Sequence, residues 1–344
     1  MATGRRPTRK PLELRPFRPH PFLRGGHAQT LATSLPRTFP KGAGHVDESL
    51  LLDVEPGTQV RALCRWQDER RAAATLVLLH GLVGHAETRS MIGLAAKAFA
   101  RGWNTVRLNL RNCGGTEDLT DTLYHSGLTA DLRALLGHLA REGHEDVHVV
   151  GFSIGGNQVL KYLGEEGEGA RVRSAVAICP PVDLSASARL LDEKRSNRIY
   201  LAHFLYYLGQ TLKRKERALG RRYLPDPRPS LLRKADYSIR RFDDRVTAPH
   251  FGYEDAEDYY RAASSGPWLQ RIAVPTWILC AEDDPMIPSR IAEAFPRADS
   301  VRLLSTAGGG HCGFLGRRQP DEDRYWVENR ALELVGERRG GPTA

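Results

Sequence analysis

Short apolar runs alternate with longer amphipathic stretches along most of the chain. Runs with the length and composition of β-strands lie at 60–66, 75–79, 103–110, 147–150, 175–178, 276–280 and 301–304. Stretches with apolar residues at helical spacing lie at 88–101, 127–142, 154–163, 195–212 and 322–334. This alternation predicts an α/β fold, in which a mostly parallel central sheet is flanked by helices on both faces.

The alternation stops between about residues 183 and 267, where helical patterns and turn-rich pieces follow one another without a clear strand. We interpret this stretch as an inserted helical lid over the carboxyl edge of the sheet, where open α/β sheets bind their ligands. From the amino end, the chain is predicted to consist of a basic, Pro-rich arm at 1–20, the first part of the core at 21–182, the lid at 183–267 and the second part of the core at 268–338.

The composition is that of an ordinary globular protein, with 41% hydrophobic and 26% charged residues among 344. No window holds about 18 consecutive apolar residues, so no transmembrane helix is expected. Five cysteines are dispersed without a C-x-x-C pair. That pattern predicts reduced thiols in a cytoplasmic protein rather than a disulfide framework or a zinc site, and neither a metal nor another cofactor is expected.

The net charge of +9 is concentrated at the amino end, where residues 1–28 hold seven basic residues and one acid. Recurrent prolines exclude a regular helix there, and no apolar run of a secretory signal follows. The arm is either an anion-binding or nucleic-acid-binding tail or a solvated leader. The second interpretation is favoured because few aromatic residues are interleaved with the charges, and nucleic acid is therefore not expected as a partner.

The most informative chemistry lies at residues 151–155, a G-x-S-x-G sequence between an apolar strand and a helical pattern. A serine on a tight strand-to-helix turn adopts strained torsions, and the flanking glycines leave room for them. Its Oγ then projects above the sheet, beside the positive end of the following helix. The pattern predicts that Ser153 is a nucleophile. The alternative is a glycine-rich turn in which Ser153 is only the N-cap of the helix.

Asp284 and His311 are the candidates for the acid and the base that a serine nucleophile needs. Each follows the carboxyl end of a predicted strand, and the order Ser, Asp, His is that of hydrolases with a nucleophile on such a turn. His311 also lies in a flexible Gly-rich loop. Asp283 stays open as the alternative acid, and a solvated turn residue or a loop histidine without a partner is the alternative for each position.

The segment that follows the strand at 75–79 is the candidate oxyanion site. The backbone N–H groups of Leu82 and of Ile154, the residue after the nucleophile, are predicted to hold the oxyanion. His80 and Gly81 are expected to lie at the substrate, with His80 positioning this loop rather than transferring protons.

Several further motifs resemble those of the α/β-hydrolase superfamily and, within it, the YheT-type branch. The resemblance covers nearly the whole chain, and its most specific pieces are His27-Ala28-Gln29-Thr30 and Tyr124-His125-Ser126-Gly127. Further pieces are Asn109-Leu110-Arg111-Asn112 and Gly309-Gly310-His311-Cys312-Gly313-Phe314. It implies a triad of Ser153, Asp284 and His311. It also implies hydrolysis of carboxylic esters with short to medium acyl chains, or acyl transfer to alcohols, without a cofactor.

Two other functions use the same features: a thioesterase or peptidase with the same triad, and a non-catalytic binding protein on this fold. The expected partner is a small-molecule ester or a lipid. The lid itself is apolar from residue 199 to 212 and basic from 213 to 222. It is either an acyl tunnel with a basic rim that favours anionic membrane surfaces, or a packed cap with a solvated outer face.

Overall fold

The computed structural model describes residues 14–223 and 237–336. Within these residues, one sheet is built from β1 (Glu48–Glu55), β2 (Thr58–Arg65), β3 (Thr75–Leu79), β4 (Asn104–Leu108), β5 (Val147–Phe152), β6 (Ser174–Ile178), β7 (Thr276–Ala281) and β8 (Val301–Thr306). The strand order is β1-β2-β4-β3-β5-β6-β7-β8. β2 pairs antiparallel with β1 and β4, and all other pairs are parallel. The predicted mostly parallel sheet is confirmed.

Helices cover both faces of the sheet and the carboxyl ends of its parallel strands. They are α1 (Gly26–Ala32), α2 (Arg89–Phe99), α3 (Ala130–Arg141), α4 (Ile154–Glu166), α5 (Leu184–Glu193), α6 (Arg198–Leu219), α7 (Ile239–Phe242), α8 (Ala248–Phe251), α9 (Ala256–Ala263), α10 (Arg290–Glu293) and α11 (Trp326–Gly336). Leu76 and Leu78 of β3 share a buried cluster with α2 and α11, whereas Val77 and Leu79 share one with α3 and α4. Because successive strand residues alternate between the two faces, a strand that is covered on both faces is apolar throughout.

The seven predicted strands agree with the structure to within two residues at either end. The strand that the sequence pattern missed is β1, which lies at the edge of the sheet and has only Leu52 fully buried. A mostly exposed edge strand carries a weak apolar signal. The helix predicted at 195–212 extends to Leu219, where Gly220 ends it in the left-handed conformation that glycine adopts readily.

The segment between β6 and β7 contains five helices, α5 to α9, and no strand among its described residues. These helices share a buried cluster with Leu82, Met286 and Ile287, which follow the carboxyl ends of β3 and β7. They therefore cover the edge of the sheet at which the candidate residues lie. The turn-rich piece at 224–227 is outside the described residues.

The described part of the N-terminal segment packs on the core well before residue 21. The ring of Phe17 contacts the rings of Phe314 and Trp326, and Trp326 Nε1 donates to the main-chain oxygen of Arg15. The predicted boundary at residue 20 therefore falls inside packed structure. Most of the basic arm, residues 1–13, lies outside the described residues.

Candidate active site

The turn that carries Ser153 is as tight as its sequence predicts. Ser153 has φ 51° and ψ −119° between the end of β5 and the start of α4. A Cβ on Gly155 would lie 2.6 Å from the main-chain oxygen of His80, and one on Gly151 would lie 2.4 Å from that of Gly155. Glycine is required at both positions because backbone passes so close. Ser153 precedes α4 but makes no side-chain capping hydrogen bond, which removes the N-cap interpretation.

His311 links Ser153 to Asp284. Its Nε2 lies 2.9 Å from Ser153 Oγ, and its Nδ1 lies 2.8 Å from Asp284 Oδ2. A buried carboxylate only accepts, so Nδ1 carries the proton and Nε2 is left to accept from the serine hydroxyl. The three side chains come from the ends of β5, β7 and β8, which meet at one edge of the sheet.

The two neighbouring aspartates have different partners. Asp284 is buried, and its Oδ1 accepts from the backbone N–H groups of Met286 and Ile287, each at 2.9 Å. Burial would raise its pKa, but the charge of His311 and these hydrogen bonds outweigh burial and hold the pKa below 3.8. Asp283 Oδ1 instead accepts from Gly310 N at 2.8 Å. Asp284 therefore contacts the His311 ring, while Asp283 holds the backbone of the loop after β8 at Gly310, the residue before His311.

Helix α1 supports the loop that carries His311. Thr30 Oγ1 accepts from His311 N at 2.9 Å and donates to Gly26 O at 2.7 Å. Gln29 Oε1 accepts from Leu315 N at 2.7 Å, and its Nε2 donates back to the main-chain oxygen of Leu315. We did not predict the supporting roles of Gln29 and Thr30 from the sequence. Both residues belong to the H-x-Q-T motif at 27–30, which was the available sequence signal.

The candidate oxyanion loop lies against the serine. A Cβ on Gly81 would lie 3.1 Å from Ser153 Cβ, and the N–H of Val83 donates to Tyr124 Oη at 3.2 Å, which holds the loop in place. Leu82 and Ile154 line the cavity beside Ser153. Ile154 is the first residue of α4, and the N–H groups of a first helical turn have no partner within the helix.

His80 lies beneath this loop rather than at the substrate. It is 1% exposed and lines neither the cavity nor the groove described below. Its Nε2 accepts from Leu110 N at 3.2 Å, and its Nδ1 lies 2.8 Å from the main-chain oxygen of Gly81. Burial lowers the pKa of His80 to about 4. The expectation that His80 touches substrate is therefore wrong, because both of its ring nitrogens are used to hold the loop.

Ser153 and His311 lie between two concave spaces. An apolar cavity of about 130 Å³ extends under the lid helices, with Leu184, Leu191, Leu208, Ile239 and Phe242 in its lining. A larger and more polar groove of about 890 Å³ is lined by residues of α1, the start of α6 and the loop that contains Gly81. Both spaces include Ser153 and His311 in their walls, so a molecule bound at Ser153 can extend in two directions.

The basic run at the end of α6 is only partly exposed. Lys215 is buried, and its Nζ donates to Asn112 Oδ1 at 2.6 Å and to main-chain oxygens. Burial lowers the pKa of Lys215 to about 8. Arg214 Nε donates to a carboxylate oxygen of Glu117 at 2.6 Å. Lys215 therefore does not contribute to the basic rim that one of the two interpretations of the lid requires, and instead anchors α6 to the loop after β4.

Comparisons with known proteins identify the family of the fold. A family model for the alpha/beta hydrolase fold matches residues 74–317. The chain is 35% identical over 318 residues to YheT of Escherichia coli (strain K12), covering 90% of each chain. It is 31% identical over 283 residues to medium-chain fatty acid ethyl ester synthase/esterase 2 of Saccharomyces cerevisiae, covering 75% of this chain and 61% of the relative.

Solved structures give the same fold. The Pyrococcus furiosus esterase Pf2001 superimposes with a TM-score of 0.56 and 16% identity, covering 88% of this chain and 97% of the other. At that identity the similarity concerns the fold alone. None of the helices within 14–223 and 237–336 is long and apolar enough to cross a membrane.

Proposed function

Because the chain belongs to the α/β-hydrolase family, we propose that it hydrolyses carboxylic esters through an acyl-enzyme on Ser153. The observation that carries the proposal is the contact of His311 with both Ser153 Oγ and Asp284, at 2.9 Å and 2.8 Å. Hydrolysis of esters or lipids is supported by the names of two relatives, an ethyl ester synthase/esterase and a monoacylglycerol lipase of Saccharomyces cerevisiae.

The proposed reaction proceeds in two steps. Ser153 Oγ attacks the ester carbonyl while His311 Nε2 takes the hydroxyl proton, and His311 then gives this proton to the leaving alcohol. Water then attacks the acyl-enzyme while His311 Nε2 takes its proton. His311 returns this proton to Ser153 Oγ as the carboxylic acid is released. Asp284 keeps the proton on Nδ1 and stabilises the imidazolium that forms in each step.

We assign stabilisation of the negative charge that develops on the carbonyl oxygen to the backbone N–H groups of Leu82 and Ile154. The support is that both residues line the cavity at Ser153 and that Ile154 opens α4, whose positive end faces the developing charge. Loss of one such donor typically raises the barrier by about 3–4 kcal/mol.

The two spaces at Ser153 suggest which part of the ester goes where. We assign the acyl chain to the apolar cavity, because its walls are mostly hydrocarbon, and the alcohol to the larger groove. A comparable apolar cavity of about 150 Å³ holds one benzene ring. A space of about 130 Å³ therefore suits an acyl group of about six carbons or fewer. An alcohol in the groove can replace water, which gives acyl transfer as a second outcome of the same site.

A series of p-nitrophenyl esters from acetate to palmitate tests this proposal, with wild type and Ser153→Ala run in parallel. We expect the highest kcat/KM at a short acyl chain and no turnover above background in Ser153→Ala. A matched thioester and anilide of the preferred acyl group distinguish an esterase from a thioesterase or a peptidase. An inactive wild type with every ester would contradict the proposal and favour a binding protein.

A further inference from the structure

Two cysteines that are far apart in the sequence meet beside His311. Cys179 follows β6 directly, and Cys312 follows His311 in the loop after β8. The N–H of Cys312 donates to Cys179 Sγ at 3.4 Å. The two sulfur atoms and a ring nitrogen of His311 all lie within 4.8 Å of one another. Both cysteines are free thiols.

We propose that Cys179, Cys312 and His311 form a binding site for a thiophilic divalent metal ion of the Zn²⁺ class, and that the bound ion inhibits the enzyme by occupying His311. The inhibition rests on the proposed function, because it requires His311 to act as the base toward Ser153. The binding itself does not. No part of the hydrolase reaction described above uses either thiol.

The donor set and its spacing suit such an ion. Zn²⁺ takes thiolate and imidazole ligands in a tetrahedral arrangement with Zn–S distances near 2.3 Å, which puts two sulfur ligands about 3.8 Å apart. Donor atoms within 4.8 Å of one another need only a small side-chain adjustment to reach that separation. The fourth position is left for water or the Ser153 hydroxyl, since Ser153 Oγ already lies 2.9 Å from His311 Nε2.

The hydrogen bond from His311 to Asp284 favours metal binding at the other ring nitrogen. Metal-binding histidines usually donate their second N–H to a carboxylate or a carbonyl, which orients the ring and makes it a better ligand. Asp284 accepts from Nδ1 at 2.8 Å, so an ion that leaves this hydrogen bond intact binds at Nε2. Binding there replaces the contact with Ser153. The same carboxylate that prepares His311 as a base prepares it as a ligand.

An ion can reach these ligands from the larger groove. Cys312 and His311 line that groove, whereas Cys179 is buried behind them. Binding converts the two thiols to thiolates and releases their two protons to solvent, so the divalent ion, the two thiolates and the neutral imidazole together carry no net charge. Both cysteines have positive φ, 46° and 58°, a conformation that non-glycine residues keep only where the surroundings impose it. The thiols are thus held in place before any ion arrives.

The proposal is tested by titrating metal-free, full-length protein with Cd²⁺, an optically visible substitute for Zn²⁺, in a non-thiol reductant that prevents disulfide formation. The ultraviolet thiolate-to-cadmium absorption band reports binding, and hydrolysis of a p-nitrophenyl ester is followed in parallel. We expect the band to saturate at one ion per chain, with loss of activity that EDTA reverses. Zn²⁺ should compete with Cd²⁺ for the site and inhibit in the same way.

Three cysteine variants supply the controls. Cys179→Ser and Cys312→Ser should each weaken Cd²⁺ binding by at least about tenfold, the lower end of the effect of losing even an outer partner. Cys280→Ser removes a buried thiol that is not among the three donors and should behave as wild type. Absence of the band in wild type, or equal Cd²⁺ affinity in all three variants, would overturn the proposal.

Ser153→Ala separates failure of this inference from failure of the proposed function. The variant should still develop the cadmium band, because Ser153 is not one of the three donors. If wild type lacks hydrolase activity but shows the band, the metal site stands and the proposed function fails. If wild type is active but shows no band, the proposed function stands and the metal site fails.

Discussion

The backbone N–H of His311 donates to the hydroxyl of Thr30 at 2.9 Å, across 281 positions of the chain. The same hydroxyl donates to Gly26 O at 2.7 Å, so its proton and an acceptor lone pair are both used. The N-terminal helix α1 therefore helps to determine where the imidazole of His311 lies. Helix α1, which follows the predicted basic arm at 1–20, is thus part of the support of the candidate active site.

Replacing Thr30 by valine should lower kcat with little change in KM. Valine keeps the shape of threonine but cannot accept from His311 N, so the loop loses a constraint on the base. A misplacement of about 1 Å at a reacting group can reduce the rate about a hundredfold, and we expect a loss of ten- to a hundredfold. Thr30→Ser restores the hydroxyl and should recover most of the activity. Unchanged kcat in a folded Thr30→Val protein would show that this hydrogen bond does not position His311.

Leu208→Ala should move the acyl preference toward longer chains. Leu208 lines the apolar cavity, and its truncation leaves space where the end of the acyl group is expected. Because one methylene in a fitted pocket is worth about 1–3 kcal/mol, the ratio of kcat/KM for octanoate over butyrate should rise about tenfold. Leu201→Ala is the matched control, since Leu201 is buried in the same helix but does not line the cavity. An equal shift in both variants would mean that loss of packing, not cavity size, is responsible.

The acidic limb of the pH profile should lie above pH 6.5. Burial lowers the pKa of His311, but the neighbouring Cys312 and Asp284 outweigh burial and raise it well above 6.5. His311 accepts a proton from Ser153 only when neutral, so kcat/KM should rise with pH through this raised pKa. The measurement is made with EDTA present, to exclude metal ions. Cys312→Ser removes one of the groups that raise the pKa and should shift the limb to lower pH; a limb at or below 6.5 in wild type would contradict the assignment.

Arg111→Met should destabilise the protein strongly. Arg111 Nε and Nη2 donate to Asp131 Oδ1 at 3.0 Å and 2.6 Å, and both side chains are about 1% exposed. Methionine fills similar space but leaves a buried carboxylate without its cation, which typically costs about 3–5 kcal/mol. Arg133→Met breaks half-exposed pairs with Glu165 and Glu166 and should cost no more than about 1 kcal/mol. Urea unfolding measures both, and equal losses would contradict this ranking.

Features that depend on local pattern were accessible from the sequence. The apolar runs of β3 and β5 located two central strands, and the G-x-S-x-G turn located Ser153 at the end of β5. Because Asp284 and His311 each follow the carboxyl end of a predicted parallel strand, the sequence also placed them at the same edge of the sheet as Ser153. The sequence favoured Asp284 but left Asp283 open, because adjacent residues after a strand differ only in where the turn directs each side chain.

Features that depend on contacts between distant segments were missed. Cys179 and Cys312 are 133 positions apart in a chain without a C-x-x-C pair, so their approach follows only from the neighbouring positions of β6, β7 and β8 in the sheet. Lys215 followed an apolar helical pattern in a basic run, which suggested solvent exposure. Its burial arises because the loop after β4 presents several oxygen acceptors to it.

The most direct test of the central claim is to identify the residue that a fluorophosphonate phosphonylates, a reaction in which a serine Oγ displaces fluoride from phosphorus. Wild type and Ser153→Ala are incubated with the reagent, digested, and mapped by mass spectrometry of the peptides. The account predicts a single modification on Ser153 in wild type, none in Ser153→Ala, and slower labelling in His311→Ala. Labelling of Ser153→Ala at the rate of wild type, or modification of a different residue, would contradict it.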